Sequence, residues 1–327
     1  MIIDLHSDLL SYLSHKPGRS PDDPISRSSY PQLKQGKVKL QTLAIASTTE
    51  PNSVDLGRSQ VDHFLKLIKE HPLCFSPFRL PFDENSPHIH IIPAFENASA
   101  FAGETEPFSE CIKRLEGYLK LLGPALYISL TWDGENRFGG GNRTMVGLKE
   151  DGKRLLEWMS GKRIALDFSH TCDRFAHDMI HFIDQQNLDI PIMASHSNFR
   201  PVSEYPRNLP DDLAKEIIRR KGIIGLNLFA PFIHRTDPSA LLRHVEYGLS
   251  LGAENALSFG ADFFCDADFP HIIEKYKNQA AFFPEFGDSS VYPSILDLLA
   301  QKLRLKEEQL QKIASQNAER FLQEKIL

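Results

Sequence analysis

Six side chains able to bind metal or move protons stand in short polar sequences that each follow an apolar run. His6 and Asp8 occur in Asp4-Leu5-His6-Ser7-Asp8, Glu96 in Pro93-Ala94-Phe95-Glu96-Asn97, and His170 in Asp167-Phe168-Ser169-His170. His196 occurs in Ala194-Ser195-His196-Ser197 and Asp262 in Phe259-Gly260-Ala261-Asp262. Neutral imidazole together with carboxylate is a donor set for Zn²⁺ or a similar divalent first-row ion. One residue separates His6 from Asp8, which in extended backbone turns both to one side, so they can share an ion. Glu96 carries two oxygens able to bridge a pair of cations, as in hydrolases whose two ions sit ~3.5–4 Å apart. Asp262 is the candidate proton carrier, because a carboxylate beside activated water can take its proton and return it to a leaving amine. Each residue also has another reading: a chance His-x-Asp pair, a solvated loop or helix N-terminal carboxylate at Glu96, a loop histidine bonded to backbone at His170 and His196, and a helix cap or one more metal ligand at Asp262. Their shared position separates the two readings.

That position follows from the elements. Eight apolar, β-branched runs read as strands: Ile2–Leu5, Leu40–Ala46, Ile89–Ala94, Ala125–Leu130, Ile164–Phe168, Ile190–Ala194, Gly222–Leu228 and Ala256–Gly260. Such near-continuous apolar stretches suit a parallel sheet covered on both faces. Helical spacing falls between them at Val61, Phe64, Leu65 and Ile68, at Phe175, Met179, Phe182 and Ile183, and at Leu241, Val245 and Leu249. A further helix opens at Asp211-Asp212 and stops at Gly222, an acidic start and glycine end that suit the helix dipole and C-cap. Repeated strand and helix predict an α/β fold, a (β/α)₈ TIM barrel, whose C-terminal face gathers residues distant in sequence into one mouth. All six candidates sit at strand C-terminal ends. The segments 14–36 and 76–88 read as long loops and Phe138–Asn142 as a mobile connection. The tail, 293–327, reads as helices packed on the barrel wall, with Ile313, Asn317 and Phe321 on one side, so that 1–327 forms one barrel domain.

The other chemistry-bearing residues have no such placement. His15, His71, His88, His90, His177, His181, His234 and His271 are expected at the surface or satisfied as ordinary polar groups, and His63 and His244 are expected to be structural. No G-x-S-x-G, G-x-x-x-x-G-K-[ST] or H-E-x-x-H sequence is present, so serine hydrolase, P-loop and thermolysin-like chemistry lack their defining parts. The 327 residues are 41% hydrophobic and 24% charged, enough for a sizeable core. Lys+Arg 37 against Asp+Glu 43 gives a net charge of −6 without long single-sign blocks, which argues against nucleic acid and anionic membrane as partners. No window approaches the ~18 apolar residues of a membrane span, and the four cysteines are far apart, so a reducing cytoplasm is the expected setting.

Taken together, Asp4-Leu5-His6-Ser7-Asp8-Leu9, Ser129-Leu130-Thr131, Leu166 to His170, Ser195-His196-Ser197, Arg207-Asn208-Leu209-Pro210-Asp211-Asp212 and Phe259 to Phe263 are similar in order and spacing to the membrane (renal) dipeptidase family of metallopeptidases, within the amidohydrolase-like barrels. The resemblance implies two Zn²⁺ ions, one on His6 and Asp8, the other on His170 and His196, with Glu96 bridging. Another divalent metal is compatible with the same ligands. It also implies hydrolysis of dipeptides, with tolerance of a D-residue at the C-terminal position, through a hydroxide bridging the ions and a proton relayed by Asp262. Arg207 matches the arginine that receives the substrate carboxylate, a task suited to a guanidinium fork; apart from the resemblance it reads as a surface cation beside Asp211 and Asp212.

Two departures bear on the pocket. Trp132 stands where animal members carry a histidine, which makes it a substrate-binding candidate here, and Phe263-Phe264-Cys265 follows Asp262 in place of a second Asp and a Gly. Alternatives in other classes are an amidohydrolase acting on another small amide, lactam or ester, and a noncatalytic metal-binding barrel. The expected partner is a small dipeptide, with a homodimer as an allowed assembly.

Overall fold

The structure is a computed structural model and describes residues 1–79, 83, 85–270, 274 and 279–326. His271 and Leu327, for which surface and tail placements were expected, lie outside the described residues.

Among the described residues there are nine parallel strands: β1 (Ile2–Ser7), β2 (Val38–Ala46), β3 (Phe75–Pro77), β4 (Ile89–Glu96), β5 (Tyr127–Ser129), β6 (Ala165–Asp167), β7 (Ile192–Ala194), β8 (Ile223–Leu226) and β9 (Leu257–Phe259). Pairing runs β2-β1-β9-β8-β7-β6-β5-β4-β3, and β2 also pairs with β4, so eight strands close into a barrel. The extra strand β3 lies on β4 at Phe75↔Ile89 to Pro77↔Ile91, while β5 joins β4 only at Phe95 and Glu96. The polar stretch expected as loop over 76–88 therefore begins in a strand. Likewise 14–36 contains the helix Tyr30–Gln35, whose Ser29 and Gln32 form a capping box.

Helices Ser53–Glu70, Phe108–Leu122, Glu150–Met159, Asp173–Gln185, Asp211–Arg219 and Ala240–Ser250 surround the barrel. Their buried stripes, for example Val61, Phe64 and Leu67, or Phe175, Met179 and Ile183, pack on the outer faces of the strands. A second core fills the barrel: Ile3, Leu5, Leu40, Ile92, Ala94, Tyr127, Ala165, Met193 and Ile223. Ala318, Phe321, Leu322 and Ile326 belong to this inner core, so the last helical segment closes the end of the barrel where the strands begin. Asn317 fixes it there, donating to the carbonyls of Glu254 and Leu257 at 2.9 and 2.8 Å. The opposite mouth stays open for a site.

The Phe138–Asn142 connection is packed, not mobile. Phe138 is fully buried, Glu135 bridges to Gly140 and Gly141 to Thr171. A Cβ on Gly141 would lie 1.8 Å from the Trp132 carbonyl oxygen, and one on Gly139 would enter the Phe175 ring. These glycines serve close approach of backbone, which spacing alone does not distinguish from a hinge.

Candidate metal and catalytic centre

β1 and β4 run further than their apolar residues suggest, so His6 and Glu96 belong to the strands themselves. Between Asp4↔Gln41 and Ser7↔Leu43 three steps of β1 oppose two of β2, an irregularity of the kind that re-aims side chains beside active sites. Asp4 anchors the turn, accepting from Ala261 N and His6 N at 3.0 and 3.2 Å and from the Tyr292 hydroxyl. Glu96 sits opposite Ala46 of β2 and Ser129 of β5. His170 and Asp262 adopt left-handed backbone, φ 72° and 63°, as does Asn97 at 75°. Non-glycine residues held there cost ~1–3 kcal/mol each and cluster at functional sites.

All six candidates converge. His6 Nε2 lies 3.6 Å from Asp8 Oδ2, 3.6 Å from Glu96 Oε2 and 3.5 Å from Asp262 Oδ1. The other Glu96 oxygen, Oε1, lies 2.7 Å from His170 Nε2 and 3.5 Å from His196 Nε2, and the two imidazole nitrogens are 3.0 Å apart. Two groups of donors thus share one carboxylate, an oxygen turned to each. His6 with Glu96 and His196, and His6 with Asp8 and Asp262, are each close enough to hold a metal ion. His6 Nε2 is fully buried and has no hydrogen-bond partner. Its distances to the three carboxylate oxygens are too long for hydrogen bonds, yet they lie close to the ligand-to-ligand edge, about 3.4 Å, of a tetrahedron with bonds of ~2.1 Å. The donor set fits a divalent cation.

Electrostatics give the same answer. Burial lowers the His6 value, but Glu96, Asp8 and Asp262 overcome this and lift the imidazole to about 10. Burial raises Asp262 to about 7 against the opposing effect of His6, and burial together with Glu96 raises Asp8. Glu96 stays well below its usual range despite burial because His6, His170 and His196 face it. Burial, His6 and Arg207 hold His196 well below its usual value. Three crowded carboxylates gather negative charge that a divalent cation would neutralise.

Below these groups lies a buried network whose members the sequence presents only as polar residues within or beside apolar strands. Asp167 accepts from Ser169 N (3.1 Å) and Ser195 N (2.7 Å) on Oδ1, and from Ser129 Oγ (2.6 Å) and Ser195 Oγ (2.8 Å) on Oδ2. With the Ser195 hydroxyl donating to Asp167, its oxygen is the acceptor for Nδ1–H of His196 at 2.6 Å. The Nε2 lone pair of His196 is thereby presented to the mouth. His6 Nδ1 is paired with the Tyr127 hydroxyl at 2.6 Å. Gly225 and Gly260 make room, since a Cβ on either would fall 2.0 or 1.9 Å from the Ser195 carbonyl oxygen. Asn227 donates to Asp262 Oδ2 (2.9 Å) and to the His196 carbonyl (3.1 Å), which aims the candidate proton carrier.

A cavity of about 380 Å³ opens over Asp8, Glu96, His170 and Asp262. Trp132 lines it and stacks obliquely near His170, ring centroids 5.9 Å apart. His15, expected at the surface, also lines it, half-exposed and 3.6 Å from Asp268. His244 is buried and structural, accepting from Phe199 N and donating to the Ile233 carbonyl. Arg207 is no surface cation: it is 3% exposed, donating to Ser197 Oγ at 2.7 Å and to the His196 carbonyl at 3.1 Å. It is not among the residues that line the cavity; its guanidinium carbon lies 5.5 Å from the ring centroid of Phe232, which does line it.

Comparisons with known proteins bear on the family and the fold. A metallo peptidase from Rhodobacter sphaeroides, liganded with a phosphinate mimic of the dipeptide L-Ala-D-Ala, has the same fold, with TM-score 0.82, 20% identity and 99% of each chain covered. The "Uncharacterized protein in pqqA 5'region" of Klebsiella pneumoniae is 26% identical over 206 residues, 58% of this chain and 71% of that protein. The "Uncharacterized dipeptidase C3A11.10c" of Schizosaccharomyces pombe is 25% identical over 232 residues, 66% of this chain and 53% of that protein. The model of the membrane dipeptidase family, peptidase family M19, matches residues 1–326. The chain therefore belongs to the membrane dipeptidase family and is a hydrolase of the metallo-dipeptidase kind.

Proposed function

We propose that the protein hydrolyses the peptide bond of dipeptides with two Zn²⁺ ions, His6 and Asp8 holding one, His170 and His196 the other, and Glu96 both. The observation that carries this reading is the Glu96 carboxylate with one oxygen toward each imidazole group, beside a buried His6 Nε2 that lacks a partner. Divalent ions in such a site supply Lewis-acid activation of water and polarisation of the scissile carbonyl. Asp262, aimed by Asn227 and raised to about 7, takes a proton on Oδ1 from the attacking water and returns it to the leaving amine. Arg207, beside the cavity-lining Phe232, receives the substrate carboxylate, and Trp132 flanks the bound dipeptide. The cavity volume, at the low end of the ~300–1,000 Å³ range of small-molecule sites, suits a dipeptide. Among the described residues no helix is long and apolar enough to cross a membrane, and all four thiols are free, which supports a reducing, cytoplasmic setting.

One observation favours a second reading: Arg207 already spends donors on Ser197 and His196 and is not among the residues lining the cavity, which suits a small amide, lactam or ester without a free carboxylate. Metal analysis with hydrolysis of L,L and L,D dipeptides by zinc-loaded protein separates the readings. Cleavage of dipeptides well above that of their C-terminal amides supports the first; metal-loaded protein that cleaves only neutral amides or lactams supports the second.

A further inference from the structure

One wall of the cavity is aromatic, and it is built together with the proton-carrying group. Phe229, Phe232, Phe264 and Phe269 line the cavity. They form a connected chain, Phe232 against Phe229 at 4.8 Å, Phe229 against Phe264 at 5.5 Å and Phe264 against Phe269 at 5.8 Å between ring centroids. Phe229, Phe232 and Phe264 are buried, so the wall is packed before any substrate arrives. All four come from the segments that follow β8 and β9, the same segments that carry Asn227 and Asp262. Asn227 joins the two functions, donating to Asp262 Oδ2 at 2.9 Å while its own Oδ1 accepts the Phe229 amide at 2.7 Å.

Polarity fixes which half of the substrate meets this wall. The amine that leaves when a dipeptide is cut belongs to its C-terminal residue, and it takes its proton from Asp262, which shares its segment with Phe264. The carboxylate of that same residue is assigned to Arg207, over which Phe232 lies. Both ends of the C-terminal residue are thus held beside the phenylalanines, and its side chain has the aromatic wall to rest on. A charged or strongly polar side chain placed there gives up its hydration to rings that offer no hydrogen bond, and Asp268, which lines the cavity beside them, is already paired with Arg19, whereas an apolar one is removed from water against a preformed surface.

We propose that the enzyme selects dipeptides whose C-terminal residue bears a large apolar or aromatic side chain, with Phe229, Phe232, Phe264 and Phe269 as the specificity-determining surface. This rests on the dipeptidase reading above and adds the substrate class to it. The test is kcat/KM of the zinc-loaded full chain on two series, Ala-Xaa and Xaa-Ala, with Xaa as Ala, Leu, Phe, Asp and Lys and the C-terminal residue in both L and D forms. A methylene in an apolar pocket is worth ~10–200-fold, so Ala-Leu and Ala-Phe should exceed Ala-Ala by ~10-fold or more in at least one stereochemical series. Ala-Asp and Ala-Lys should fall below Ala-Ala, and the Xaa-Ala series should spread less. In Phe264→Ser the ratio of Ala-Phe to Ala-Ala should fall toward one, a ratio that does not depend on the fraction of protein folded; if that variant cannot be prepared, the wild-type ratios decide. An active enzyme with a flat Ala-Xaa series, or with its preference confined to Xaa-Ala, overturns the inference and leaves the dipeptidase reading intact. Zinc-loaded protein that cuts no dipeptide of either series overturns both.

Discussion

Replacing Ser195 by alanine tests whether the buried network under the mouth prepares His196 for metal. The change removes the oxygen that accepts His196 Nδ1–H at 2.6 Å and one of four donors to Asp167. His196 is 0% exposed, so bulk solvent does not reach Nδ1–H, which is left without its partner. Stranding such a donor costs ~1–3 kcal/mol. The alternative open to the ring is to move its proton to Nε2, which removes the lone pair from the mouth. Loss of a partner behind a metal-ligating histidine weakens binding ~10–100-fold, equivalent to about 1.4–2.8 kcal/mol, which matches the hydrogen-bond figure. The assay is competition for Zn²⁺ between metal-free protein and a chromogenic chelator, fitted to two sites, with thermal unfolding of the metal-free variant alongside. One site should weaken by that factor while the other changes less. Unaltered affinity at both sites in a folded variant would refute the argument that Asp167 and Ser195 set the tautomer of His196.

Three further outcomes are expected. Asp262→Asn should keep its metal, read by mass spectrometry of the intact protein, and lose ~10²–10⁴ in kcat, the usual worth of a positioned acid–base group; loss of one metal equivalent would instead make Asp262 a ligand. Arg207→Ala should depress kcat/KM for dipeptides far more than for neutral amides, and equal losses would count against carboxylate recognition by this buried guanidinium. His244 is buried and held down to about 4, so as pH falls the unfolded chain protonates first. Its stabilising contribution is complete above the unfolded value near 6.5 and is lost as pH falls toward 4, by roughly 3 kcal/mol. Urea midpoints of wild type and His244→Gln should therefore converge between pH 7 and pH 4.5, and a constant gap would rule out this residue as the titrating group.

Strand identity was legible because parallel strands buried on both faces leave uninterrupted apolar runs, and helix positions because one stripe of each must face the barrel. Element ends were less so: β5, β6 and β7 shrink to three residues each, while β1 and β4 extend into His6-Ser7 and Glu96, because ladder pairing, not apolarity, sets where a strand stops. The short strand at Phe75–Pro77 was hidden by its proline and polar flanks, and the glycines of 139–141 gave no sign that they lie against Trp132 and Phe175.

By itself the sequence determined the chemistry on offer: which imidazoles and carboxylates stand at strand ends, and that a closed parallel barrel would bring strand ends to one face. Only the tertiary structure decided how they meet. Glu96 turning an oxygen to each imidazole group, Ser195 reaching Asp167, Arg207 buried beside Phe232 and four phenylalanines joining into a wall are all contacts between residues separated along the chain. Their geometry depends on strand stagger, left-handed backbone at His170 and Asp262, and glycines that admit a neighbouring carbonyl. Those are properties of how strands pack, and no local pattern of residues encodes them.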